Sequence, residues 1–192
     1  SFAVWPHDGS VFFTNADGTV LRHRPGTDRV EALETLHLRR DIFGAWNPHE
    51  PGHQGYNWRV VLWHEASQLF YGVHPRSGWL FSFDPARLEI ELIERICCDR
   101  LRRSGGFEPF RYGYLSLNLG PDGETLYYLT GEPRELSPDE HRFKEWVHLV
   151  TYNLRTRVYR DHGHLRLEDG RYPTLTQCLA APAGGRLYSC PW

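Results

Sequence analysis

The sequence holds eleven histidines in 192 residues, and two groups of them have spacings that could do chemistry. His49-Glu50-Pro51-Gly52-His53-Gln54 is one group and His162-Gly163-His164 is the other, with His148 a short way before it. Imidazole is both a common metal ligand and a proton carrier near neutral pH. Two imidazoles separated by one residue project to the same side of a strand, so His162 and His164 are expected to pair around a divalent metal ion. His49 or His53 would add a ligand if the segment around them folds over that pair. Glu50, Glu168 and Asp169 are carboxylates that lie nearby in sequence.

A second set combines tyrosine with arginine. Tyr56-Asn57-Trp58-Arg59, Phe110-Arg111-Tyr112 and Arg171-Tyr172-Pro173 recur at intervals of roughly sixty residues. Tyrosine offers an apolar ring with a polar tip, and arginine offers a planar fork for a carboxylate. Tyr56, Arg59, Arg111, Tyr112, Arg171 and Tyr172 are therefore the candidate ligand-binding residues, for an acidic or hydroxylated ligand. The competing expectation is that each tyrosine only locks its loop onto the next unit. Arg100, Arg102 and Arg103 stand beside Asp99 and read as a solvated loop, with Gly105-Gly106 as a turn. No G-x-S-x-G, Walker-type loop or dinucleotide fingerprint occurs.

What positions these residues is an internal repeat. The segments around Val11, Leu69, Leu126 and Leu187 align, with those anchors 58, 57 and 61 residues apart. Five residues before each stand Pro6, His64, Pro121 and Pro182, followed by a polar or glycine-rich turn, so each unit opens with a β-hairpin. A third strand follows at Val20-Leu21-Arg22-His23, at Leu80-Phe81-Ser82-Phe83 and at Leu149-Val150-Thr151-Tyr152. A fourth follows at 29–33, 89–93 and 157–161, where the alternation Glu89-Ile90-Glu91-Leu92 marks a half-solvated outer edge. Four strands per unit, with no amphipathic helix between units, predict an all-β fold, a β-propeller of four-stranded antiparallel blades. Residues 1–192 form one partial propeller domain in this reading, with units at about 1–36, 57–97, 112–165 and 172–192. About three and a half blades are present, so missing blades or a second copy are expected to close the ring. The run from Ser137 to Trp146 is helix-like and sits inside a loop.

The hairpin Pro121-Asp122-Gly123-Glu124-Thr125-Leu126-Tyr127-Tyr128 resembles the one found in bacterial β-propellers of the lactonase, TolB and oligogalacturonate-lyase types. The resemblance covers the whole chain as architecture and implies the fold, since propellers host unrelated functions. The oligogalacturonate-lyase type places histidines and a glutamine around a metal. Tyr159 stands where that resemblance leads one to look for the glutamine.

Composition narrows the partners. With 21 Arg, one Lys and a formal net charge of -2, the chain lacks the basic excess that a nucleic-acid backbone attracts. No stretch approaches the 18 apolar residues of a membrane helix, so no membrane insertion is expected. Methionine is absent even at position 1, which suggests a processed chain or a fragment and leaves the compartment open, the periplasm and the exterior included. Of the four cysteines, Cys97 and Cys98 read as strand-end residues, Cys178 and Cys190 could face each other across a hairpin, and no C-x-x-C occurs. Two functions fit these residues. One is a binding or scaffold propeller that recognises a saccharide, an acidic metabolite or a protein partner. The other is a metal-assisted lyase or hydrolase acting on a carbohydrate or lactone-type substrate.

Overall fold

Short polar side chains at hairpin turns set this architecture, and they do so locally. In the computed structural model, Asp8 Oδ1 accepts from the Ser10 N–H at 2.8 Å, and Asp122 Oδ1 accepts from Thr125 N–H at 2.9 Å. Asp84 Oδ1 accepts from the N–H groups of Ala86 and Arg87, and Asn153 Oδ1 does the same for Arg155 and Thr156. Each carboxylate or amide replaces the backbone partner that the turn removes, which is why Asp and Asn recur at these points. The tight turns at 6–9, 65–68 and 154–157 close alike. Gly9, Gln68 and Arg157 have φ of 73°, 58° and 57°, and each donates its N–H to the carbonyl four residues back.

The structure describes residues 2–15, 18–38, 58, 60–74, 77–105, 117–132, 146–173, 176–180 and 186–191. The first sheet holds β1 (Ala3–Val4), β2 (Val11–Thr14), β3 (Thr19–His23) and β4 (Val30–His37). The second holds β5 (Val60–His64), β6 (Leu69–His74), β7 (Trp79–Asp84) and β8 (Glu89–Arg95). The third holds β9 (Asn118–Leu119), β10 (Thr125–Glu132), β11 (Trp146–Asn153) and β12 (Tyr159–His164). In all three the spatial order follows chain order, the up-and-down antiparallel sheet of a propeller blade. β13 (Thr176–Ala180) and β14 (Tyr188–Pro191) pair as an antiparallel hairpin, with Cys178 on one strand and Cys190 on the other. Among the described residues, no helix is long and apolar enough to cross a membrane.

Two expectations about this frame need correction. The first turn of the second sheet starts at Glu65, so Leu69 pairs with His64 beside the turn, whereas Trp5–Ser10 and Gly120–Thr125 are the turn-flanking pairs elsewhere. Leu69 is thus one residue short of the place held by Val11 and Leu126, and buried Phe70 takes it. Leu187 precedes β14 and is exposed, so it does not serve as a core anchor. The arginine cluster is not a loop: α1 (Asp99–Ser104) follows β8, with Asp99 in its first turn, Arg102 and Arg103 in its last, Leu101 buried, and Gly105 closing it at φ 72°. Cys97 and Cys98 lie between β8 and α1, fully buried. The helix-like run at 137–145 lies outside the described residues.

The chain divides into two compact units, Ser1–His74 with Leu80–Ile93, and Pro75–Trp79 with Glu94–Trp192. In the first, Phe12, Val20, Trp58, Phe70, Phe81 and Phe83 form an aromatic core almost closed to solvent. Trp58 stacks on Phe81 with ring centroids 5.9 Å apart, and Phe12 meets Phe83 edge-on at 4.9 Å. In the second unit, Tyr127, Leu129, Val147, Leu149 and Leu165 pack on one face of the third sheet. Leu126, Tyr128, Val150 and Tyr152 are buried on the other face, where α1 begins.

Candidate functional site

That second face of the third sheet changes character along its length. Alternation places Leu126, Tyr128, Thr130 and Glu132 of β10 on it, with Trp146, His148, Val150 and Tyr152 of β11. Register pairs Thr130 with His148, and His148 with His164 of β12. The apolar half is ordinary core, while the far half brings Glu132, His148 and His164 together from three neighbouring strands.

A bulge completes the cluster. From Val150–Asp161 to His148–His164, β11 advances two residues and β12 advances three. Gly163 sits in the extra step at φ 80°, a backbone state that glycine reaches without steric cost. Asp161 and His164 consequently share His148's face. His162 does not: it turns to the opposite face, where its Nε2 meets Thr151 Oγ1 at 2.9 Å. The expected same-side projection of His162 and His164 therefore fails, because strand alternation stops at the bulge. Burial, and then Arg160, pushes the His162 imidazole below its ordinary pKa.

The polar groups form one connected chain. His148 Nδ1 donates to Asp161 Oδ1 at 2.9 Å, and His148 Nε2 meets Glu132 Oε2 at 2.9 Å. His164 Nε2 reaches the same Oε2 at 2.6 Å, and Arg100 Nη1 donates to Glu132 Oε1 at 3.4 Å. Asp161 also accepts from the N–H groups of Asp99 and Gly163 at 2.9 and 2.8 Å, which ties the start of α1 to the cluster. Tyr159 adds a second tie, donating its hydroxyl to the Cys97 carbonyl at 2.7 Å, with the Arg102 guanidinium 4.4 Å from its ring centre.

Protonation follows these contacts. Burial alone would raise the Asp161 carboxyl, but the His148 bond and the two backbone donors outweigh it and hold the group at about 2. Burial would lower the His148 imidazole, yet bonds to Asp161 and Glu132 raise it on balance. Glu132 is desolvated too, and His164, His148 and Arg100 still bring it below its usual range. The side chains of Asp161, His148 and Glu132 are 7%, 9% and 13% exposed, and that of His164 is 28% exposed. The cluster thus has a closed end at Asp161 and an open end at His164.

Aromatic rings flank the open end. The Trp146 ring lies 4.6 Å from that of His164 and 5.8 Å from that of Tyr172, and Tyr172 is 5.9 Å from His164. Arg166 donates to the Tyr172 hydroxyl at 2.6 Å and holds its guanidinium 4.9 Å from the ring centre. Of the candidates read from sequence, His164 and Tyr172 meet here. Arg171 is exposed to solvent and paired with Asp169, its Nε and Nη2 both donating to Oδ2. Tyr56, Arg59, Arg111, Tyr112, His49 and His53 lie outside the described residues. Glu132, Asp161 and Arg166 were missed, and His148 was noted without a partner. The glycine between His162 and His164 was the available signal, since glycine inside a strand marks a bulge.

No family model matches this sequence, and no curated protein matches it. Solved structures do. The extracellular domain of a candidate one-component system from B. thetaiotaomicron aligns over 100% of this chain and 20% of its own, at 13% identity and a TM-score of 0.53. A candidate 6-phosphogluconolactonase from Bacteroides uniformis aligns over 98% of this chain and 52% of its own, at 14% identity and a TM-score of 0.48. A candidate gluconolactonase aligns over 100% and 62%, at 11% identity and a TM-score of 0.46. The chain spans from a fifth to somewhat under two thirds of the length of these proteins. At these identities the likeness concerns the fold alone.

Proposed function

We propose that this chain is the ligand-binding part of a β-propeller, and that the open end of the third blade takes an acidic, hydroxylated small molecule of the saccharide-acid kind. One observation carries the reading. Trp146, His164 and Tyr172 hold their rings within 6 Å of one another at the partly exposed end of a buried face, with the Arg166 guanidinium beside them. Rings of this kind offer flat apolar surface to the C–H face of a sugar, and the guanidinium offers paired donors to a carboxylate. Tyr56, Arg59, Arg111 and Tyr112 are carried into the proposal from the repeat alone.

A second reading, as a lyase or hydrolase of carbohydrate or lactone-type substrates, draws on the Asp161–His148–Glu132–His164 chain. Such a relay supports an exposed imidazole that takes or delivers a proton. One calorimetric experiment separates the readings. Titrating a panel of neutral sugars, sugar acids and sugar lactones is expected to give heat for the acids, with affinity falling about tenfold or more in Arg166→Ala and in Tyr172→Ala. Product formation that disappears in His164→Gln would favour the enzyme. Equal affinity for acids and neutral sugars, unchanged in both binding variants, would overturn the binding reading.

A further inference from the structure

We propose that Glu132, His148 and His164 bind a divalent transition-metal ion, with Zn2+ the ion that two imidazoles and one carboxylate suit best, and that Asp161 is the positioning residue that fixes His148. The inference uses the same blade face as the ligand-binding reading but does not need a saccharide to bind.

Geometry is the first support. One ligand atom from each of Glu132, His148 and His164 lies within 4.8 Å of the other two. In a tetrahedral zinc site, ligand atoms about 2.0–2.1 Å from the ion sit roughly 3.3 Å from one another. Glu132 Oε2 already stands 2.9 Å from His148 Nε2 and 2.6 Å from His164 Nε2, so admitting an ion requires an opening of less than about 1 Å on each of these two edges. Small side-chain rotations supply that. Adjacent strands fix the three Cα positions, so the site forms without moving the backbone.

The surroundings are the second support. Metal-bound histidines characteristically donate their other ring N–H to a carboxylate, which fixes tautomer and ring orientation. Asp161 does this for His148 at Nδ1, and Asp161 is itself held by the N–H groups of Asp99 and Gly163. Arg100 contacts Glu132 at Oε1, leaving Oε2 for an ion. Three protein ligands leave a position open, and His164, the most exposed of the three, lies on the side of Trp146 and Tyr172. Calcium and magnesium, which prefer all-oxygen shells, do not fit this donor set.

The test is a titration of the chelator-stripped full chain with Zn2+ by calorimetry and with Co2+ by visible absorption, where tetrahedral Co2+ has intense bands. One equivalent per chain is expected. Glu132→Gln and His164→Ala should each weaken Zn2+ binding by at least 100-fold and remove the Co2+ bands. Asp161→Asn should keep the stoichiometry and weaken binding 10- to 100-fold, with rescue by Asp161→Glu. His162→Ala should leave affinity unchanged, and far-UV circular dichroism confirms that each variant is folded. Absence of Zn2+ binding by the folded wild type would overturn the site. So would unchanged affinity in Glu132→Gln and His164→Ala, or a loss in His162→Ala. Tyr172→Ala is expected to spare Zn2+ binding, so the metal and saccharide readings fail separately.

Discussion

The second and third sheets share strand number, strand order and polar turns, and both bury histidine, yet among the described residues only the third gathers a carboxylate and imidazoles into one group. The second buries Phe70, Phe81 and Phe83, with Trp58 stacked on Phe81 at 5.9 Å. The third buries Leu126, Tyr128, Val150 and Tyr152 on one face and Leu129 and Val147 on the other, and beyond Thr130 it buries a carboxylate–imidazole cluster. Apolar burial is non-directional and contributes roughly 25 cal/mol per Å². Buried polar groups cost desolvation and return it only when every partner is placed. The second sheet therefore shows what the blade needs to fold, and the third shows where the same frame has been spent on geometry.

Breaking the aromatic side of this contrast should have the largest effect. Phe81 fills the space left by Gly72, where an added Cβ would stand 2.4 Å from Phe81 Cζ and 2.8 Å from Val61 Cγ2. Phe81→Ala is expected to cost about 3–5 kcal/mol in urea unfolding, the range for a buried aromatic truncated in a tight core. A cost below about 1 kcal/mol would mean that this core is not the main source of stability.

How much of this was legible follows from the range of each interaction. The blades were legible because Asp8, Asp84, Asp122 and Asn153 act on neighbours two or three residues away. The offset of Leu69 was not, because His64 occupies the place of the turn prolines while the turn itself begins one residue later. Helix α1, at six residues, is too short to establish a periodicity. The cluster depends on pairings 13, 16 and 32 residues apart and on one bulge, none of which local sequence encodes. His162 and His164 looked like partners because alternation holds everywhere in that strand except between them.

The polar side gives an intermediate effect with a pH signature in the metal-free protein. Asp161 is held below its ordinary 3.8, at about 2, so its contribution is complete above about 4 and is lost as pH falls toward 2. His148 is raised above its ordinary 6.5, so its contribution is complete below about 6.5 and is lost as pH climbs through the raised value. Stability from this pair should peak between those limits. Asp161→Asn should cost about 1.5–3 kcal/mol there, the range for a hydrogen bond to a charged group, and flatten both limbs of a stability-versus-pH curve. An unaltered curve in the variant would show that the pair does not set the pH dependence.

The smallest effect sharpens the contrast, because it separates holding the cluster's neighbour in place from filling space. Tyr159 lies against the same face, its hydroxyl bonded to the Cys97 carbonyl and its ring under the Arg102 guanidinium. Burial, with Asp161 and Asp99 nearby, pushes its hydroxyl pKa well above the usual tyrosine range, so it stays a neutral donor across the accessible pH range. Tyr159→Phe keeps the ring and the cation–π contact and removes one neutral hydrogen bond, for an expected loss of about 0.5–1.5 kcal/mol. Because α1 reaches the cluster through the Asp99–Asp161 bond as well, the loss should appear mainly as faster amide exchange in residues 99–104, with little change in the β10–β11 core. Equal acceleration in both regions would show that α1 and the third sheet open as one unit, and that the tyrosine hydroxyl is not a local tether.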